Sequence, residues 1–462
     1  MMGRISPLDD RYSSIVGCLD EFFSERALVQ ARVEVECAFL NAIDRTGLFP
    51  PLDEGESARI AAARGAMVDE DFARVKAIEH EIRHDVKAVE RFLREKLDLG
   101  NPERIHFGLT SADVNNLAYG LLLSRYRGMK QLPQVRALIA RLTDQAEQWK
   151  ATVFPARTHG QTASPTTLGK ELAVFISRLL RQAEALRTHR FRGKLSGATG
   201  NYSAFVAAFP SFDWPRFSAE LVSSLGLEPN RATTQIEDHD TLAEYFAIVS
   251  RINNIVLDLD LDLWLYISHG DLVNRAVTGE VGSSTMPHKV NPIRFENSEG
   301  NLILSNAMLH TLSDKLTHSR MQRDLSDSTV KRSIGTALAY GFLAIDQTLK
   351  GLERVDADVE QLQHKVAASP EVLAEAYQSI LRAEGARDPY EVLRTAIRGK
   401  DVTLESLHRW IDSLDATDRV RARLRALRPD AYVGLAVRVC DDVIAEARSW
   451  LATSADTEAS VE

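Results

Sequence analysis

Between Asp240 and Ile267 the apolar side chains Tyr245, Val249, Ile252, Val256, Leu259 and Leu263 recur at alternating steps of four and three. That spacing predicts a long helix with a coiled-coil-like seam. Leu242, Phe246, Ile248, Ile255 and Leu261 widen the apolar surface beyond one stripe. Such a helix is expected to be buried against several neighbours, in a bundle or across a subunit interface. The same periodicity predicts helices over 168–186, 297–316 and 328–352, with Ser164-Pro165 as the start of the first. Helical patterning over 113–150 is interrupted near Pro133. Beyond Val355 the chain turns more charged and its amphipathic pieces shorten, as over 389–397. The last stretch, 453–462, holds almost no large apolar side chain and is expected to be disordered. The reading is an all-α protein of three regions: an N-terminal helical domain over 1–111, a central long-helix bundle over 112–352, and a C-terminal helical domain over 353–462.

Composition fits this picture. The 462 residues are 44% hydrophobic and 26% charged, and 25 glycines and 15 prolines favour long elements over turn-rich β architecture. The formal net charge of −9 argues against nucleic-acid or anionic-membrane binding, which needs a basic field. A small anionic substrate remains compatible, because a pocket can be locally positive. Cys18, Cys37 and Cys440 lack CxxC spacing and are odd in number, as in a reduced protein without a disulfide framework. The start of the chain carries no signal-like apolar stretch, and no run approaches the roughly 20 apolar residues of a spanning helix. A cytoplasmic location is expected.

The densest chemistry lies in the segment 279–292, Gly279-Glu280-Val281-Gly282-Ser283-Ser284-Thr285-Met286-Pro287-His288-Lys289-Val290-Asn291-Pro292. It falls between two helical patterns, yet its glycines and prolines demand a loop. Freedom from glycine and stiff punctuation by proline suit a segment that closes over a ligand. A polar surface connection could share that composition.

The stretch Gly282 to Pro292 resembles the signature loop of the fumarase/aspartase superfamily, whose members include fumarate-releasing lyases and a carboxymuconate cycloisomerase. Within that superfamily, further segments are similar to those of the adenylosuccinate lyases, in particular the bacterial branch with a long C-terminal domain. These segments are Arg157-Thr158-His159-Gly160-Gln161, His84-Asp85-Val86-Lys87, Thr110-Ser111-Ala112-Asp113, Thr233-Thr234-Gln235-Ile236-Glu237 and Arg320 to Ser328. The likeness runs from Ser6 to Glu391.

The resemblance implies a fumarase/aspartase-like fold, a homotetramer with shared active sites, and no cofactor or metal. It implies elimination of fumarate from adenylosuccinate and from the succinylated carboxamide ribotide (SAICAR). Ser283 would be the base that removes the C–H proton, and His159 the acid that protonates the departing nitrogen. A serine can act so only if its alkoxide is strongly stabilised, which gives Lys289 and Asn291 a purpose beside the substrate carboxylate. The anionic substrate would further engage Arg11 and Tyr12, then Arg83, His84 and Asp85, then Thr110 and Ser111. Gln235, Asn297, Arg323, Ser328 and Arg332 complete the implied binding surface.

The alternatives are another fumarate-releasing lyase or the cycloisomerase. The latter typically carries tryptophan where His159 stands. A different class enters through His80-Glu81-Ile82-Arg83-His84, which fits the H-E-x-x-H pattern of zinc peptidases. That chemistry needs both histidines on one helical face.

Overall fold

A computed structural model of the chain describes residues 5–276, 279, 285–286, 288–398 and 402–458. Helices dominate, and the strands among the described residues are two or three residues long, arranged in two-stranded ladders. The long helices fall where periodicity places them: Leu168–Thr188, Asp240–Ser268, Ile293–Leu316 and Ile334–Leu352. All six seam residues of the Asp240–Ser268 helix are buried. Of the flanking apolar positions, Leu261 departs from expectation and is exposed, as are Trp264 and Leu265 on the following turn.

Four local expectations are corrected or refined. The helix after residue 164 starts at Leu168, where the Thr167 hydroxyl accepts from the Lys170 amide (3.3 Å); Ser164-Pro165 lies before the strand Thr166–Thr167. The interruption expected near Pro133 is present just before it, as a π-helical turn and not as a break. The π-helical turn Arg127–Gln131 joins Ser111–Tyr126 to Leu132–Gln148 and accommodates the lost N–H of the proline in the first turn that follows. The 328–352 pattern resolves into Ser326–Lys331 and Ile334–Leu352. At the C-terminus the helix Ala436–Glu458 continues through the first half of the stretch expected to be disordered, while residues 459–462 lie outside the described residues. Alanine-rich polar sequence can propagate a helix without a large apolar face once packing has nucleated it.

The chain divides into two compact units, Met1–Gln134 with Gln182–Asn254 and Gly300–Asp346, and Val135–Arg181 with Ile255–Glu299 and Gln347–Glu462. In the first unit, helices Glu25–Asp44, Glu54–Ala63, Asp69–Ile82 and Asp85–Leu97 enclose a core that includes Val33, Leu40, Ile60, Val89 and Leu93. Its long helices are keyed by buried polar contacts: Asn253 Nδ2 donates to Ser305 Oγ and to Asn306 Oδ1, both at 3.0 Å, and Tyr245 Oη donates to Gln131 (2.7 Å). Buried amides and hydroxyls pair in few registers, so such contacts fix one alignment of otherwise greasy helices.

The second unit uses the same device. Thr348 donates to the buried Asp260 (2.9 Å) and shares a hydrogen bond with Ser298 (2.9 Å). Arg141 and Gln145 donate to the terminal carbonyl of Leu352 (3.0 and 2.9 Å), satisfying a group that the helix end leaves orphaned. Small helices of the C-terminal region gather Leu373, Tyr377, Leu381, Leu407, Ile411 and Leu424 into a core of their own. No helix among the described residues is long and apolar enough to cross a membrane. Cys18, Cys37 and Cys440 are free thiols, the last two buried.

Candidate active site

In the first unit, helix ends present the implied binding residues. Asp69–Ile82 stops at Arg83, which takes the left-handed conformation (φ 55°), and His84 begins the next helix, its Nδ1 accepting from the Lys87 amide (3.2 Å). His80 and His84 therefore sit on either side of a chain reversal. The H-E-x-x-H reading fails on this geometry, since it requires one continuous helical face. Asp85, half-buried, pairs with Arg32 (2.6 Å), whose Nε donates to Asn115 (2.8 Å). Burial works against the Asp85 charge, but the Arg32 guanidinium and the Val86 amide outweigh it and hold the carboxyl below its usual range.

Thr110 caps the Ser111–Tyr126 helix in a reciprocal box with Asp113. The fully buried Asp113 carboxylate also accepts from the amides of Ser196 (2.9 Å) and Gly197 (3.3 Å) and pairs with Lys194 (2.8 Å). One carboxylate thus fixes the Thr110-Ser111 turn and the glycine-rich loop together. Gln235 receives Arg323 Nη1 (3.2 Å) and donates to the Ala198 carbonyl (3.0 Å), drawing a third segment to the same loop. Gly200 permits that approach: a Cβ there would stand 2.0 Å from the Thr233 carbonyl oxygen.

Asp85, Arg323, Ser328 and Arg332 meet on the wall of one cavity of about 40 Å³. That volume suits a water or two, not a nucleotide. A wider depression of about 500 Å³ shares Arg32, Asp85, Tyr119, Lys331 and Arg332 with it and adds Phe22 and Phe23; its size is that of a small-molecule site. Among the described residues, the small cavity's walls leave out Arg11, Tyr12, Arg83, His84, Thr110, Ser111 and Gln235. Arg11 lies exposed in the N-terminal turn, its guanidinium 5.8 Å from the Tyr12 ring.

Sequence reasoning missed the buried polar floor of this cavity. Lys331 pairs with Asp327 (2.6 Å) and donates to His239 Nε2 (3.3 Å). Burial and the neighbouring ammonium push His239 down to about 3, so it is neutral and accepts that bond. Burial likewise raises Glu237 to about 7, against the opposing hydrogen bond from Asn230. Asp327 lies in the Arg320–Ser328 segment that resembles the family and Lys331 three residues beyond its end, and their i,i+4 spacing is the signal that could have found the pair.

In the second unit, His159 stands at the tip of a hairpin. Arg157 and Thr158 pair with Thr162 and Gln161, leaving His159-Gly160 as a two-residue turn with both φ positive (54° and 74°), the arrangement of a type I′ turn. The imidazole is exposed. Lys289 is exposed, Asn291 and Asn297 are half-buried, and the Asn291 carbonyl accepts from Asn274 Nδ2 (3.1 Å). Ser283, assigned as the base, lies outside the described residues.

Helices of this length and order recur in solved structures. A fumarate lyase from Mesorhizobium sp. BNC1 superposes with a TM-score of 0.77 at 20% identity, covering 93% of this chain and 97% of that one. A 3-carboxy-cis,cis-muconate lactonizing enzyme from Pseudomonas putida gives 0.76 at 22%, covering 96% and 100%. At such identities the likeness shows the fold alone. The sequence profile of the lyase family matches residues 11–309, so fold and profile together define a lyase of the fumarase/aspartase class. The adenylosuccinate lyase C-terminal profile matches residues 319–433. Adenylosuccinate lyases of Haemophilus influenzae and Escherichia coli K12 are 44% and 43% identical, each match spanning 95% of this chain and 98% of the relative. The chain belongs to the adenylosuccinate lyase family.

Proposed function

We propose that the protein eliminates fumarate from adenylosuccinate, leaving AMP, and from SAICAR, leaving AICAR. The observation that carries the reading is the convergence of Asp85, Arg323, Ser328 and Arg332 on one cavity wall, although almost 250 positions separate the first from the last. Two arginines and a hydroxyl suit the phosphate and carboxylates of a succinylated nucleotide, and the adjoining depression of about 500 Å³, which shares Asp85 and Arg332, gives the room that the small cavity lacks.

In the proposed step Ser283 takes the proton from the succinyl carbon next to the carboxylate. The electron pair forms the fumarate double bond, the C–N bond breaks, and His159 delivers a proton to the departing nitrogen. Lys289 and Asn291 are assigned to the carboxylate that carries the developing charge. Arg11, Tyr12, Arg83, His84, Thr110, Ser111, Gln235 and Asn297 are proposed to complete the substrate surface. No cofactor is invoked.

A homotetramer with shared active sites is part of the proposal. It is supported by the exposed apolar side chains Leu261, Trp264 and Leu265 on a helix otherwise built for burial. Residues 1–111, 112–352 and 353–462 are proposed as domains, and the cytoplasm as the location.

Fumarate release from both substrates, followed by ultraviolet absorbance, tests the roles. Ser283→Ala and His159→Ala are each expected to lose at least about a hundredfold in kcat, the scale of a missing acid or base. Wild-type turnover in both variants would sink the assignment.

A further inference from the structure

The hairpin that carries His159 begins further back than its tip. Val153–Phe154 pairs with Thr166–Thr167, and Arg157–Thr158 with Gln161–Thr162. The Ala163 amide donates to the Ala156 carbonyl (2.9 Å), so between the two ladders one residue, Pro155, faces two, Ser164 and Pro165. This is a β-bulge in which both prolines lack the N–H that a regular ladder would use. Beyond it Thr158, His159, Gly160, Gln161 and Thr162 are all exposed. Among the described residues none packs over the tip to set its direction, and a bulge is where such a ribbon bends.

An ion pair crosses that bend. Arg157 Nη1, on the tip side, donates to Asp271 Oδ2 (2.7 Å). The Asp271 side chain is completely buried, and its other oxygen receives Lys365 (2.8 Å), which also donates to the His269 carbonyl (2.6 Å). Asp271 is itself fixed by the end of the long helix. Gly270, with φ 65°, donates to Ile267 (3.0 Å) and the Asp271 amide to Tyr266 (2.8 Å), the paired bonds of a Schellman cap. On the opposite strand, Ser164 donates to Glu375, which also receives the Tyr432 hydroxyl (3.1 Å). Both strands of the ribbon are thus held at the bulge by carboxylates backed by the C-terminal region. A buried carboxylate between two cations is rigid, because a displaced partner would leave charge unpaired in a dry site.

We propose that Asp271 is a positioning residue for the elimination, its carboxylate clamped between Arg157 and Lys365 so as to aim His159 across the bulge. This rests on the reading of His159 as the acid. A group that only orients the acid acts on the chemical step and leaves ground-state binding in place. A misplacement of about 1 Å is enough to cost about a hundredfold in rate.

The test is steady-state kinetics with adenylosuccinate on the full-length protein, well below the melting temperature, for Asp271→Asn, Arg157→Met, Arg157→Lys and Lys365→Met, with His159→Ala as control. Asp271→Asn and Arg157→Met are expected to lower kcat about 10- to 100-fold with KM within about twofold. Arg157→Lys, which keeps one ion pair, should restore part of kcat, and Lys365→Met should show a smaller loss. If Asp271→Asn does not fold, the Arg157 pair carries the test alone. Wild-type kcat in these variants beside an inactive His159→Ala overturns the clamp and leaves the role of His159 intact. A fall in melting temperature with kcat unchanged also overturns it. An active His159→Ala overturns both.

Discussion

A histidine at φ 54° is a costly choice for the corner of a two-residue turn, where glycine and asparagine sit at ease. His159→Asn should therefore uncouple stability from activity: the melting temperature is expected to hold or rise, by up to about 1 kcal/mol of hairpin stability, while kcat collapses. Thermal denaturation beside the fumarate assay reads both. Glu237 provides a pH signature of its own. Its folded value near 7 lies above the ordinary 4.5, so the folded state holds a proton that the unfolded chain releases. Stability is lost as pH climbs from about 4.5 to about 7, and Glu237→Gln should flatten that part of the profile in urea titrations. Residues embedded in long motifs, such as His159 and Arg323, could be singled out from the sequence as candidates. Asp271, His239 and Lys331 could not, because their meaning comes from partners: Asp271 meets Arg157 from 114 positions away, and Lys331 meets His239 from 92.

At the scale of elements, apolar period located the long helices of the central region and placed Leu168–Thr188 and Asp240–Ser268 to within two residues, since each must bury a stripe to exist at all. The errors came where backbone chemistry competes with pattern. Ser164-Pro165 has the composition of a helix start, but the ladder pairing of Thr166–Thr167 claims the next two residues, and the pair serves a bulge instead. The interruption near Pro133 takes the form of a π turn just before it, which absorbs the missing donor. Helix contacts also impose limits that pattern does not reveal. A Cβ on Gly169 would lie 2.5 Å from the Ala146 carbonyl oxygen and 2.6 Å from Lys150 Cα, both backbone atoms. Gly169→Ala is expected to cost about 1–3 kcal/mol in chemical denaturation, because neither helix can yield locally. Gly128, with nothing within 4 Å of its added Cβ, should instead gain up to about 1 kcal/mol as alanine.

For the whole molecule, the sequence predicts that the Asp240–Ser268 helix is buried in a bundle or across a subunit interface, and Leu261, Trp264 and Leu265 are the part that this chain leaves exposed. Trp264→Asp should shift the proposed tetramer toward smaller species in light scattering and lower specific activity in step, since the proposed sites need several copies. What periodicity could not foresee is the division into two units whose boundaries fall inside long helices, at 134/135, 181/182, 254/255, 299/300 and 346/347. That division follows packing density across the fold, which no local window of sequence reports. In the proposed tetramer the bare turn around Trp264 also makes the amount of enzyme matter twice over. Turnover per chain would depend on how crowded the chains are, so progressive dilution would silence the protein faster than in proportion, with no inhibitor present.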